Sequence, residues 1–105
     1  MYRGIIKTKA GEDNTCNIFY NIHCCDYEIE QSIDSIKSFG FKGIRMMVSA
    51  PSGDGYDIFL HFIINADEPV RFITRQLNRI LYRDDVMPFL VTKTVKHITR
   101  VCDRI

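Results

Sequence analysis

The sequence predicts an α+β fold in which two helices cover one face of a four-stranded antiparallel sheet. Three observations lead to this prediction. The chain has 105 residues, which is enough for one domain with a hydrophobic core and too few for two. Apolar residues recur with the period of a strand in some segments and with the period of a helix in others. These segments follow one another in the order strand, helix, strand, strand, helix, strand.

The first strand is predicted over residues 17–24, where Ile18 and Tyr20 alternate with residues of the other face. The helix after it has Asp26 as its expected N-cap and ends at Gly40, because glycine favours the left-handed turn that closes a helix. Its apolar residues recur at helical spacing: Ile29, Ile33, Ile36 and Phe39. This spacing predicts an amphipathic helix that packs on a sheet.

A hairpin and a second helix follow. Residues 44–50 and 56–64 are the predicted strands, and residues 51–55 form a turn-forming loop between them. The second helix is expected to begin at Asp67, with Pro69 near its first turn. Its predicted buried stripe consists of Val70, Ile73, Leu77, Ile80 and Leu81.

The last strand is predicted over residues 89–95. With right-handed crossovers, the complete order gives the ferredoxin-like split βαβ sandwich. The domain is expected to span residues 16–96. It follows an N-terminal extension of residues 1–15, which could add a strand, and it precedes a C-terminal tail of residues 97–105.

Such a fold leaves the second face of its sheet open. The longest predicted strand is apolar on both sides, because Phe59, His61 and Ile63 alternate with other apolar residues. An apolar open face favours a protein partner, and the predicted partner-contacting residues are Phe19, Phe59, His61 and Ile63. Alternatively, the N-terminal segment or the tail after Lys96 folds back across this face.

Charge is distributed unevenly along the chain. The net charge is +1, but residues 71–105 hold eight basic and three acidic residues, a net +5, while residues 1–70 sum to −4. Arginines recur at four-residue spacing in the second helix, where like charges repel. This pattern indicates an anionic ligand, first of all an RNA backbone, with a solvated face as the alternative. The predicted RNA-binding residues are Arg71, Arg75, Arg79, Arg83, Lys93, Lys96 and Arg100.

The sequence lacks the motifs of common enzymes. It has no nucleophile elbow, no glycine-rich phosphate loop and no His-Glu-x-x-His pattern. Its cysteines, Cys16, Cys24, Cys25 and Cys102, form no Cys-x-x-Cys pair and no regular disulfide spacing. No apolar run approaches the length of a membrane span. We therefore expect a binding protein without catalytic residues, metal, cofactor, small-molecule substrate or membrane contact.

The second half of the chain resembles a known family. A strand at residues 56–62 runs into Asn65-Ala66-Asp67-Glu68, and the second helix ends in Leu81-Tyr82-Arg83-Asp84-Asp85-Val86-Met87 before a strand at 89–94. This pattern resembles small-subunit ribosomal protein six, a bacterial and organellar family, and Lys93 matches a basic position of its last strand. The resemblance implies a structural component of the small ribosomal subunit. It also implies three kinds of partner: rRNA, small-subunit ribosomal protein eighteen and neighbouring ribosomal proteins.

The divergent sequence and the four cysteines favour the mitochondrial form of that family, and a bacterial or viral source would make the protein cytoplasmic. Two alternatives stay open. An RNA-recognition-motif domain has the same element order and reads single-stranded RNA with aromatic residues of its central strands, but Asp54 stands where that motif has a basic residue. A homodimeric regulatory or adaptor module, including a phage or viral inhibitor, would instead use the open sheet to pair with itself.

Overall fold

The computed structural model describes residues 14–95 and 98–102. Within these residues the chain forms a five-stranded sheet and two helices. The strands are β1 (Asn14–Cys25), β2 (Ile44–Ser52), β3 (Gly55–Asn65), β4 (Pro88–Val95) and β5 (Ile98–Cys102), and the helices are α1 (Ile29–Phe39) and α2 (Val70–Leu81). The predicted order of strands and helices is confirmed, with one strand added after it. The proposed extra strand within residues 1–15 falls largely outside the described residues.

The strands lie in the order β2-β3-β1-β4-β5, and neighbouring strands are antiparallel. The first four strands of this order, together with the two helices, form the predicted ferredoxin-like α+β fold. β5 pairs with β4 from Val91↔Cys102 to Val95↔Ile98. Residues 98–102 therefore extend the edge of the sheet, which the sequence interpretation of residues 97–105 as a tail did not foresee.

The core lies between the sheet and both helices. Alternate residues of β1 are buried, as the period of a strand requires: Cys16, Ile18, Tyr20, Ile22 and Cys24. The facing residues of β3 are Ile58, Leu60 and Phe62, and α2 adds Val70, Ile73 and Leu77. Because Ile36 of α1 belongs to the same cluster, both helices pack on one face of the sheet.

α1 begins later than the sequence predicted. Its N-cap is Glu28 rather than Asp26, because residues 26–28 form a turn in which the Glu28 N–H donates to the carbonyl of Cys25 at 3.0 Å. The Glu28 carboxylate in return accepts from the backbone N–H of Cys25 at 3.2 Å. Gly40 ends the helix with φ 74°, as predicted.

α2 also begins later, since its N-cap is Pro69 and not Asp67. The preceding residues form a turn closed by the Glu68 N–H and the Asn65 carbonyl at 3.0 Å. At its other end the helix stops at Leu81, and Tyr82 adopts a left-handed conformation with φ 57°. The hairpin loop is shorter than predicted, because the register closes with two residues, Gly53 and Asp54, between the strands.

Candidate functional site

The sheet face opposite the helices carries a group of apolar side chains, which Asn17 and Asn21 of β1 interrupt. Phe19 is paired with His61 on β3 and with Leu90 on β4, and directly paired residues of an antiparallel sheet share a face. The same register places Met46 beside His61 and Val48 beside Phe59. We define the open-face strip as Phe19, Met46, Val48, Phe59, His61, Ile63, Phe89 and Leu90. All four residues predicted to contact a partner belong to it.

The outer members of the open-face strip are solvent-exposed. Phe89 is 58% exposed, Val48 47% and Met46 41%. Both described helices pack on the other side of the sheet, so neither covers these side chains. The sequence left open that the C-terminal tail or the N-terminal segment folds across this face. Residues 98–102 do not do so, because they pair with the edge of β4. Residues 1–13 lie outside the described residues.

The centre of the open-face strip is held in place by ring contacts. The rings of Phe19 and His61 are stacked with centroids 4.4 Å apart and planes 8° from parallel. His61 Nε2 lies 2.8 Å from Asn17 Oδ1, which fixes the orientation of the imidazole. Phe89 lies against Phe19 with centroids 6.1 Å apart. These contacts restrict the side chains, which would lower the entropy lost if a partner bound to this face.

Three of the predicted RNA-binding arginines lie on the outer surface of α2. Arg71, Arg75 and Arg79 are exposed, whereas Ile73 and Leu77 are buried on the opposite side of the helix. We call these three arginines the arginine face. At 1.5 Å per residue it extends over about 12 Å of the helix axis. Among the described residues, none of the three forms an ion pair with a carboxylate.

Arg83 does not belong to the arginine face, so the prediction of four arginines on one helical stripe is wrong at its last member. The left-handed turn at Tyr82 ends the helix before Arg83 and redirects its side chain. The guanidinium donates two hydrogen bonds to Asp85, at 2.9 and 3.0 Å, and one to the His23 carbonyl at 2.6 Å. The bond from Arg83 lowers the pKa of the Asp85 carboxyl.

The other predicted basic residues are more dispersed. Lys93 is paired with buried Cys16, so it lies on the helix side of β4 and not beside the open-face strip. The backbone of Arg100, in β5, pairs with that of Lys93 in β4. The structure does not describe the Arg100 side chain. Lys96 also falls outside the described residues. The arginine face is therefore the basic cluster that the described structure brings together.

Sequence reasoning missed Asn78, which fixes the connection from α2 to β4. Its side chain accepts a hydrogen bond from the Val86 N–H at 2.9 Å and donates one to the Val86 carbonyl at 3.2 Å. It also donates to the Thr74 carbonyl at 3.2 Å. Val86 itself is buried in the core. A polar residue beside the buried stripe of a helix was the signal that could have identified this role.

A cleft of about 460 Å³ lies between the end of β1 and the two helices. Cys24 and Cys25 line it, and burial raises the pKa of the Cys24 thiol, which makes that sulfur a poor nucleophile at neutral pH. His23 Nδ1 lies 2.8 Å from the Asp57 carboxylate. The sequence did not predict this pair, because the two residues are far apart in the chain. Within the described part of the chain, no group of three or more His, Cys, Asp or Glu residues is arranged to hold a metal ion.

Two further observations bear on function. Among the described residues, no helix combines the length and the apolar character needed to cross a membrane. Comparisons with protein-family models, with curated proteins and with solved structures find no match to this chain. The functional argument therefore depends on the open-face strip and the arginine face.

Proposed function

We propose that the chain is a structural RNA-binding protein that works together with a protein partner, as a component of the small ribosomal subunit. The observation that carries this proposal is the separation of two unlike surfaces. The open-face strip lies on the outside of the sheet, and the arginine face lies on the outside of the helical layer. The two surfaces point in opposite directions, so one protein can contact an apolar partner and an anionic polymer at once.

The composition of the open-face strip suits a protein partner. It consists of aromatic, methionine and aliphatic side chains and one histidine, and interface centres are rich in aromatic residues and methionine and poor in charge. Contiguous exposed apolar surface is uncommon on monomers and marks interaction sites. In the proposal the occupant is a second ribosomal protein, which the resemblance identifies as protein eighteen.

The arginine face supports the RNA part of the proposal. These guanidinium groups have no carboxylate partner within residues 14–95, and guanidinium groups of this kind on one helix surface favour binding of phosphates. The net charge of the whole chain is only +1, so its affinity for RNA would come from this local cluster of charge and, in the assembled subunit, from contacts of its partner as well. The mitochondrial location belongs to the same proposal and derives from the resemblance.

A specific observation also favours the recognition-motif alternative. Phe19 on β1 and Phe59 on β3 lie on the open face of the two neighbouring central strands, where that motif stacks its bases. However, one side of the Phe19 ring is already covered by His61. If the alternative is right, Phe19→Ala should abolish binding of short single-stranded RNA by the purified chain.

Sedimentation of the tagged chain from its native cell tests the proposal. The lysate is run through a sucrose gradient with enough magnesium to keep ribosomes intact. We expect the chain to migrate with the small subunit and to leave that fraction after treatment with EDTA and high salt. A light peak at monomer or dimer mass without rRNA would refute the ribosomal proposal, and a dimer would favour the homodimeric adaptor.

A matched pair of variants tests the open-face strip in the same gradient. Val48→Glu places a charge in the strip, whereas Ser49→Glu places it on the next residue of β2, which is exposed and points to the other side of the sheet. We expect Val48→Glu to shift the chain to light fractions and Ser49→Glu to leave it on the subunit. Equal behaviour of two folded variants would mean that the strip is not the partner surface.

A further inference from the structure

The outer surface of α2 carries an exposed aromatic ring among its arginines. Phe72 is 52% exposed, although burial of a phenylalanine side chain is normally favourable. At 3.6 residues per turn, Phe72 lies about 20° from Arg79 and about 60° from Arg75 around the helix axis, and about 140° from the buried Leu77. The ring therefore belongs to the arginine face and points away from the core.

The side chains around Phe72 are arranged for an anionic ligand. The Gln76 side-chain oxygen accepts two hydrogen bonds from the Arg79 guanidinium, at 3.0 and 2.6 Å, and this leaves the positive charge unneutralised while it fixes the group in place. Gln76 follows Phe72 by one helical turn, so this hydrogen bond holds the guanidinium on the same side of α2 as the ring. Among the described residues, Arg71 and Arg75 form no ion pair.

Each feature alone has a simple alternative. Exposed arginines on a helix can be no more than a solvated surface, and a single exposed phenylalanine needs no special explanation. Their combination on one helical surface is more informative, because phosphate binding requires charge and base stacking requires an exposed ring. A regular duplex offers phosphates but no free base, and an acidic peptide offers charge but no base to stack.

We propose that this surface binds single-stranded RNA, with an unpaired base stacked on Phe72 and the flanking phosphates held by Arg71, Arg75 and Arg79. The inference rests on the RNA part of the proposed function and deepens it, because it names unpaired nucleotides as the ligand of α2. Stacking on an aromatic ring tolerates any base, so the site selects unpaired RNA over duplex and not one sequence. Glu68 precedes the helix and is exposed, so Arg71, which is the nearest of the three arginines in sequence, should contribute less than Arg75 and Arg79.

Fluorescence anisotropy with the purified full chain tests this inference. The probes are a labelled unstructured RNA of about 12 nucleotides, within the range that single-strand-binding domains contact, and a duplex of the same sequence. We expect Phe72→Ala to weaken single-strand binding about tenfold and Phe72→Trp to preserve it. Tyr27→Ala is the matched control, because Tyr27 is an exposed aromatic residue outside α2. Arg75→Ala should lower the salt slope by about 0.7, whereas Phe72→Ala should not change it.

Several outcomes would overturn the inference: no binding of the single strand by the unmodified chain, equal affinity of the unmodified chain and Phe72→Ala, or full competition by a polyglutamate peptide. Sedimentation separates its failure from that of the proposed function. A chain that migrates with the subunit but shows no Phe72 effect keeps the ribosomal proposal and loses this one. A chain that sediments in the light fractions but binds single strands through Phe72 would refute the ribosomal proposal and support this inference.

Discussion

Removal of the Tyr20 hydroxyl should change how the stability of this fold depends on pH. Tyr20 is fully buried, with its ring edge-on to Phe62 at 5.7 Å, and its hydroxyl forms a 2.7 Å hydrogen bond with Thr74 of α2. Burial raises the pKa of Tyr20 from 10.0 to about 12. The same group thus links the sheet to α2 and resists ionisation.

Two opposing contributions set the expected magnitude for Tyr20→Phe. Loss of the hydrogen bond should lower the free energy of unfolding by about 1 kcal/mol at neutral pH. Above pH 10, Tyr20 of the unfolded chain loses its proton while the folded chain keeps it, so stability falls as pH rises. One pKa unit corresponds to about 1.4 kcal/mol, so this loss is about 2.3 kcal/mol at pH 12, where half of the folded chains are also ionised, and its upper limit is about 2.7 kcal/mol. The variant lacks the ionisable group and escapes the loss.

Urea denaturation followed by circular dichroism, at several pH values between 7 and 12, measures both contributions. Other groups titrate in both proteins, so the difference between them isolates Tyr20. We expect the variant to be less stable at neutral pH, equal near pH 11 and more stable above it. A difference that stays constant with pH would refute the reasoning, since it would mean that Tyr20 ionises as readily in the folded state as in the unfolded one.

Two further predictions concern α2. Leu77→Ala should lower the free energy of unfolding by about 2 to 5 kcal/mol, because Leu77 is fully buried in the core. The control Arg75→Ala, at an exposed position of the same helix, should change the free energy of unfolding by less than about 0.5 kcal/mol. Similar losses in the two variants would mean that a different face of the helix is buried. Asn78→Ala should cost about 1 to 3 kcal/mol in urea denaturation, because it leaves both backbone groups of Val86 without their partner. Asn78→Asp keeps an acceptor for the Val86 N–H but places a carboxylate against the Thr74 and Val86 carbonyl oxygens, so it should lose at least as much as Asn78→Ala, and a clearly smaller loss for Asp would contradict this assignment.

Sequence periodicity predicted the architecture because burial imposes it directly. Alternate residues of β1 had to face the helices, and the stripe of Val70, Ile73 and Leu77 had to face the sheet, so the core could be read from spacing alone. The open-face strip was partly predictable for the same reason. Phe19 and Phe59 followed from alternation, whereas Phe89 joined the strip through an irregularity in the pairing of β1 with β4.

The remaining differences arise where the backbone leaves its regular period. Four-residue spacing placed Arg83 with the other arginines only if the helix continued, and the left-handed residue Tyr82 ended it. Asp26 and Asp67 have the side chains of good N-caps, but hydrogen-bonded turns at those points delayed both helices. Contacts distant in sequence, such as His23 with Asp57, leave no periodic signal.

The position of charge in this fold follows from desolvation. An arginine within the open-face strip would lose its water when an apolar partner covered it, and without a paired carboxylate that loss is costly. On the outer surface of α2 the same group stays hydrated, and under the proposed function a phosphate would replace the water. The buried stripe of α2 then fixes the arginine face relative to the sheet, because Leu77 lies in the core and the Thr74 side chain bonds to Tyr20 of β1. Under the proposed function, the two-layer domain would therefore hold a protein on one side and RNA on the other without a residue that serves both.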